Sequence, residues 1–140
     1  NISNQEDFTF IEDLLSGGCL KKIYKNISSN EQSSEEIVAS YAKNQFSQKS
    51  VQIFLTSLSQ ILSELALVYM PGSGIYIAGG LMRSLHQFLD TDRFLKEFLV
   101  NRKSMHADVL KEIPLAIINQ EMTCLHGSLN FINKFSLNLK

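Results

Sequence analysis

Two glycines, Gly79 and Gly80, follow the apolar run Ile75-Tyr76-Ile77-Ala78 and stand where a helical pattern begins at Leu81. Glycines between a strand and a helix let a ligand approach the backbone, and the first helical N–H groups there have no partner in the helix. Such a turn suits the ribose and base of a nucleotide, or a phosphate; a tight strand-to-helix connection also calls for glycine. It is not the dinucleotide fingerprint, which needs three spaced glycines and a following acidic residue, and no Walker A sequence occurs. The second candidate is Glu12, one turn before Ser16-Gly17. It falls near the C-terminal end of a helical pattern, where the helix dipole disfavours a carboxylate. A carboxylate there could accept hydrogen bonds from a polyol, although exposure to solvent is the simpler account.

Other chemistry is thin. His86, His106 and His126 lie in three different elements with no i, i+3 or i, i+4 ligand spacing, and read as surface or capping residues. Cys19 and Cys124 form no CxxC pair, so neither a disulfide framework nor a thiolate zinc site is expected, and a reducing, cytoplasmic setting fits. The sequons at Asn1 and Asn26 would matter only in a secreted protein. No nucleophile stands beside an activating base.

The elements that must position these residues follow from apolar spacing. Asn4 can cap a first helix with Phe8, Ile11, Leu14 and Leu15 on one face, and Gly17-Gly18 is expected to end it. Leu20, Ile23, Tyr24 and Ile27 make a second helix, and Ser33 with Glu36 has the spacing of a capping box for a third. The longest helical pattern runs from about Phe46 to Met70. Its length could span a bilayer, but Gln52, Thr56, Ser57, Ser59, Gln60, Ser63 and Glu64 interrupt it, clustered on one side, which favours a buried soluble helix. Pro71 and Gly72 stop it, and Gly74 opens a strand from Ile75 to Ala78. Leu81, Met82, Leu85, Phe88 and Leu89 continue as a helix. Asp90 or Thr91 caps another, with Phe94, Leu95, Phe98 and Leu99 buried. A basic exposed segment at Arg102-Lys103, a short helix with Val109 and Leu110, a second buried strand from Leu115 to Ile118 and a helix capped near Thr123 complete the chain. That last helix should turn Leu125, Leu129, Ile132 and Phe135 inward.

The 140 residues suit one domain, with 44 % hydrophobic and 19 % charged residues. Thirteen basic against fourteen acidic residues leave no electrostatic footprint for nucleic acid or an anionic membrane. The element order gives an α/β class with two or so buried parallel strands and flanking helices. Two strands are few for a sheet, and the chain starts at Asn1 without methionine or signal, so a piece of a longer protein is expected.

Four landmarks, in order, resemble the C-terminal portion of the bacterial glucokinases, within the hexokinase and actin-like ATPase superfamily. They are Glu12-Asp13-Leu14-Leu15-Ser16-Gly17, the long helix, Ile75 to Gly80, and Ile113 to Ile118 followed by Leu125-His126-Gly127-Ser128. Where the family continues Ser-Gly with Pro-Gly-Leu, this chain has Gly18-Cys19-Leu20, and His126 and Leu129 replace a Leu and a Gly of the closing motif. The resemblance implies a helix-rich fragment of a ribonuclease H-like, actin-like large domain spanning residues 1–140. It implies that Glu12 binds the sugar, and that Gly79, Gly80, Ser16 and Gly17 bind the adenosine of ATP. The parent reaction would move the ATP γ-phosphoryl group to the 6-hydroxyl of glucose, with Mg2+ on the phosphates. The family's Asp-Gly-Gly-Thr, Asn-Asp and Glu-Gly-Gly-His motifs have no counterpart here, so the rest of the parent chain is the expected partner, and this chain alone should be inactive. A homodimer is also open to the parent. Two rivals stand beside this reading: a non-catalytic sugar-sensing regulator on the same fold, and a helical interaction module.

Overall fold

A computed structural model of the chain describes residues 14–136. Glu12 and the helix expected from Asn4 lie outside the described residues. The central element is a long helix, and the others are best placed relative to it. Helix α1 (Gly17–Ser28) and helix α2 (Ser34–Ala39) lead to α3 (Gln45–Tyr69). Strand β1 (Ile75–Ile77), α4 (Gly80–Leu85), a 3-10 turn (His86–Phe88), α5 (Thr91–Phe98), α6 (Ser104–Lys111), β2 (Leu115–Ile117) and α7 (Thr123–Ser136) follow.

Helix α3 is long and apolar enough to cross a membrane, yet in this fold it is the spine of the core. Val51, Phe54, Leu55, Leu58, Leu62 and Ala66 are buried along it. They meet Leu20, Ile23 and Tyr24 of α1, Phe94 and Phe98 of α5, and Leu110 of α6. Burying one such side chain stabilises by about 1.5–3 kcal/mol, so this cluster dominates the folding energy. Gln52, Gln60 and Glu64 lie on the exposed side as expected, but Ser59 and Ser63 do not. They are fully buried, as are Ser47 and Ser50. Small side chains let the neighbouring helices approach, and the hydroxyls of Ser47, Ser50 and Ser59 find backbone or side-chain partners, whereas Ser63 Oγ is buried without one among the described residues. Ser59 Oγ donates to Phe94 O at 2.6 Å, tying α3 to α5, and Ser47 Oγ meets Ser40 Oγ at 2.8 Å.

Local sequence explains most helix ends. The capping box forms at α2: Ser33 Oγ accepts from Glu36 N–H at 3.2 Å, and Glu36 Oε2 accepts from Ser33 N–H at 2.7 Å. Asp90 Oδ1 accepts from Arg93 N–H at 3.0 Å to cap α5. Gly17 and Gly18, expected to end a helix, instead open α1. Ser16 has an extended backbone and its Oγ accepts from Cys19 N–H at 3.3 Å, so the cap residue before the glycines decides the direction of the helix. The helix expected from Leu81 to Leu89 breaks at Leu85 into the 3-10 turn. Arg102 is not exposed: its guanidinium pairs with Glu64 at 2.8 Å and its side chain is only 14 % accessible.

The strands form a two-stranded parallel sheet with Ile75 opposite Leu115, Tyr76 opposite Ala116 and Ile77 opposite Ile117. The α/β class and the parallel pairing agree with the sequence reading. The strands are shorter than expected and half-buried, with Tyr76 63 % exposed. Gly74 lets them meet. Its φ of 101° is one that side-chain-bearing residues rarely adopt, and an added Cβ would sit 2.8 Å from Pro114 O. Two further expectations fail on the outer surface. Leu95 is 43 % exposed, because α5 points Phe94 and Phe98 at the core instead, and the apolar face of α7 is open among the described residues.

Candidate functional site

The glycine turn after β1 is built by backbone geometry. Gly79 has φ 132° and ψ 157°, a region open essentially to glycine, and its carbonyl accepts from Arg83 N–H at 3.0 Å to start α4. An added Cβ at Gly79 meets nothing within 4 Å, so conformation rather than space demands the glycine. Gly80 differs. Its backbone is in the helix, and a Cβ there would touch only the tip of Arg83 at 3.7 Å, so its bare backbone faces open space.

That space is a cavity of about 400 Å³, within the size range of ligand sites. One wall is Gly80, Leu81 and Ser84 of α4; the other is Gly17 of α1 with Ser34, Glu35, Val38 and Ala39 of α2. The second wall is pinned together at Gly17. Ser34 Oγ donates to Gly17 O at 2.9 Å, and a Cβ on Gly17 would come within 2.9 Å of that same Oγ. Ser84 Oγ donates to Gly80 O at 3.2 Å. Glu35 stands at the start of α2, where its own backbone N–H, then Ser33 and Lys21, hold its carboxyl below the usual carboxylate range. The cavity therefore offers one ionised acceptor, small hydroxyls, and an apolar patch from Val38 and Leu81.

Of the site residues expected from sequence, Gly17 and Gly80 line this cavity together. Gly79 does not; it borders an adjoining apolar groove of about 370 Å³ that Leu15, Phe54, Leu58 and Ile75 also line. Ser16 caps α1 and is not among the residues that line the cavity. Glu12 lies outside the described residues. Sequence reasoning missed Ser34, Glu35, Val38, Ala39 and Ser84. The capping box announced where α2 begins, but no chemical pattern said which face of α2 would meet α4. The histidines behave as read: His86 Nδ1 lies 2.6 Å from Arg83 O, and His106 and His126 are exposed.

Comparison with known proteins shows the family. The family model described as Glucokinase matches residues 2–134, nearly the whole chain. The chain belongs to the glucokinase family. The match takes in both glycine segments, 17–18 and 79–80, and both strands. Among individual relatives, a glucokinase of Brucella abortus is 23 % identical over 124 residues, 83 % of this chain and 36 % of its own length. A glucokinase of Agrobacterium fabrum is 26 % identical over 85 residues, covering 61 % of this chain and 24 % of its own length. One from Rhizobium johnstonii is 28 % identical over 79 residues, 56 % of this chain and 23 % of the relative. The chain thus spans between about a quarter and a third of the length of these relatives.

Proposed function

We propose that this chain supplies the nucleotide side of an ATP-dependent glucokinase, which phosphorylates glucose to glucose 6-phosphate. The observation that carries the reading is the convergence of Gly17 and Gly80, far apart in sequence, on one cavity with α2 between them. Gly80 presents bare backbone to the cavity, and Gly17, whose missing side chain makes room for Ser34 Oγ, lets α1 and α2 come together as the facing wall. On this reading adenosine rests on Gly80 and Gly17, with Gly79 shaping the turn and Ser16 fixing the first turn of α1. Glu35 then accepts from a ribose hydroxyl or from the exocyclic amine of the base. Glu12 accepts from hydroxyls of the sugar. The domain is one part of an actin-like large domain, working in the cytoplasm, with the parent free to form a homodimer.

Among the described residues no group of three His, Cys, Asp or Glu is placed to hold a metal ion. On this reading Mg2+ would sit on the nucleotide phosphates, held by the rest of the parent chain. What these residues do is bind and orient, which fixes one reactant relative to the other.

The test is made on the full-length parent. Gly80→Val, which keeps a helical backbone but fills the cavity, should weaken ATP binding at least about tenfold and leave glucose binding intact. Unchanged nucleotide affinity would remove the adenosine assignment. Glu12→Ala should abolish glucose-dependent ATP consumption while the protein stays folded, and full activity would take Glu12 out of the site. Binding of both ligands by the wild-type protein without turnover would replace the kinase by a sugar-sensing regulator.

A further inference from the structure

A second cavity, of about 220 Å³, lies where α3 meets the 3-10 turn and the first two turns of α5. Its floor is apolar: Leu55 and Phe94 are buried, and the rings of Tyr41 and Phe88 stack with centroids 3.9 Å apart. Its rim is charged in a fixed order. Asp90, Arg93 and Glu97 stand at i, i+3 and i+7 along α5 and all line the cavity, giving a carboxylate, a guanidinium and a carboxylate on one face. Each carboxylate has one oxygen engaged, Asp90 Oδ1 by Arg93 N–H and Glu97 Oε2 by Gln60 Nε2 at 3.0 Å. The other oxygen of each is free to accept. Among the described residues the Arg93 guanidinium makes no ion pair, and the Tyr41 and Thr56 hydroxyls and the Gln52 amide have no hydrogen-bond partner. Unpaired donors at the edge of an apolar hollow are what a small ligand site offers.

We propose that this cavity binds a small zwitterion with an apolar group, an α-amino acid about the size of leucine. The charge order selects the class. An anion would meet Arg93 but also two carboxylates, and a cation would meet the carboxylates but also Arg93; a ligand carrying both charges pairs with both. The volume sets the size. An apolar cavity of about 150 Å³ holds a benzene ring, so this one accommodates a few atoms more. Leu55, Phe88 and Phe94 receive the side chain.

The site is also linked to the nucleotide cavity, a consequence that rests on the reading of that cavity given above. Helix α2 lends Val38 and Ala39 to the nucleotide cavity, and Tyr41 follows two residues later. Helix α4 lends Ser84, and Phe88 follows on the 3-10 turn. The Tyr41–Phe88 stack therefore joins the two walls between which the nucleotide lies. A ligand pressed against that stack changes their spacing and, through it, nucleotide affinity.

Calorimetric titration of the full-length protein with L-leucine, in the absence of nucleotide, tests the site. Saturable binding with a dissociation constant below roughly 1 mM is expected. The singly charged analogues 3-methylbutylamine and 4-methylpentanoate should each bind at least about tenfold more weakly, and Arg93→Gln, an exposed change, should weaken leucine by a similar factor. No saturable heat up to roughly 10 mM leucine, an analogue binding as well as leucine, or an unaffected Arg93→Gln variant overturns the site. For the link, saturating leucine should shift ATP affinity about fivefold, and leucine binding with ATP affinity unchanged overturns the link. Because leucine is titrated without nucleotide, failure of the adenosine assignment under Gly80→Val is read separately from failure of this site.

Discussion

Helices α3 and α7 carry apolar residues at similar helical spacing, and they end in opposite situations. Along α3 the stripe from Val51 to Ala66 is buried, closed over by α1 on one side and α5 and α6 on the other. Along α7 the equivalent positions are open: Leu125, Leu129, Ile132 and Phe135 are each more than half exposed. The periodicity of a stripe establishes that a face is made to be covered. It does not say what covers it. For α3 the covering elements lie within the described residues, and for α7 they do not. The same holds at the sheet, whose two short strands have only each other among the described residues.

That contrast can be broken most directly in the core. Phe98 is 2 % exposed, in the cluster where α5 closes over α3. Phe98→Ala should cost about 4 kcal/mol in urea unfolding, the transfer of the ring plus the cavity it leaves. A loss below about 1 kcal/mol would mean that α5 is no more firmly seated than α7.

The next effect tests whether the open region is loose or merely uncovered. At Gly74 a side chain would need φ near 101° and would drive its Cβ to 2.8 Å from the carbonyl of Pro114. That carbonyl also accepts the Ile75 N–H at 2.8 Å, so the clash falls on the bond that sets the register of β1 against β2. Gly74→Val should therefore destabilise by about 3 kcal/mol, as backbone strain and overpacking together. Tolerance of valine there would show that the strand pair can slide, and that the sheet does not anchor the turn at Gly79.

Which parts of this were legible in the sequence follows the same division. Signals whose partners lie within a few residues could be read: the Ser33–Glu36 box, the Asp90 cap, Pro71-Gly72 as a stop, and the turn at Gly79-Gly80. Gly17-Gly18 misled because two glycines punctuate either end of a helix, and the deciding residue was the Ser16 cap before them. The serines of α3 mislead because a small polar side chain need not face solvent: Ser59 is buried with its hydroxyl on a carbonyl of α5. Of the cavity between α2 and α4, Gly17 and Gly80 could be named and their companions on α2 could not. The pairing of α2 with α4 is a tertiary contact with no local mark.

Ser59 gives the third test, because its bond spans 35 residues of chain. In Ser59→Ala the Phe94 carbonyl loses a buried donor while the packing hardly changes. A loss of about 1 kcal/mol is expected, the net worth of one hydrogen bond, because the Phe94 carbonyl keeps its place in the ladder of α5. A neutral result would mean that small size alone, not the hydroxyl, suits this position to the close approach of α3 and α5.

The smallest expected effect carries the comparison furthest. In the 140-residue chain Leu129→Ser should change stability by no more than about 0.5 kcal/mol, because the residue it replaces is 54 % exposed. Phe131 and Phe135, with ring centroids 4.4 Å apart, would still cover one another on the helix surface. A loss of about 2 kcal/mol or more would show the face to be covered in solution. Sedimentation of the wild-type chain would then identify the cover: a second copy makes both the mass and the size of the loss rise with protein concentration, whereas a cover from within one chain makes neither depend on it.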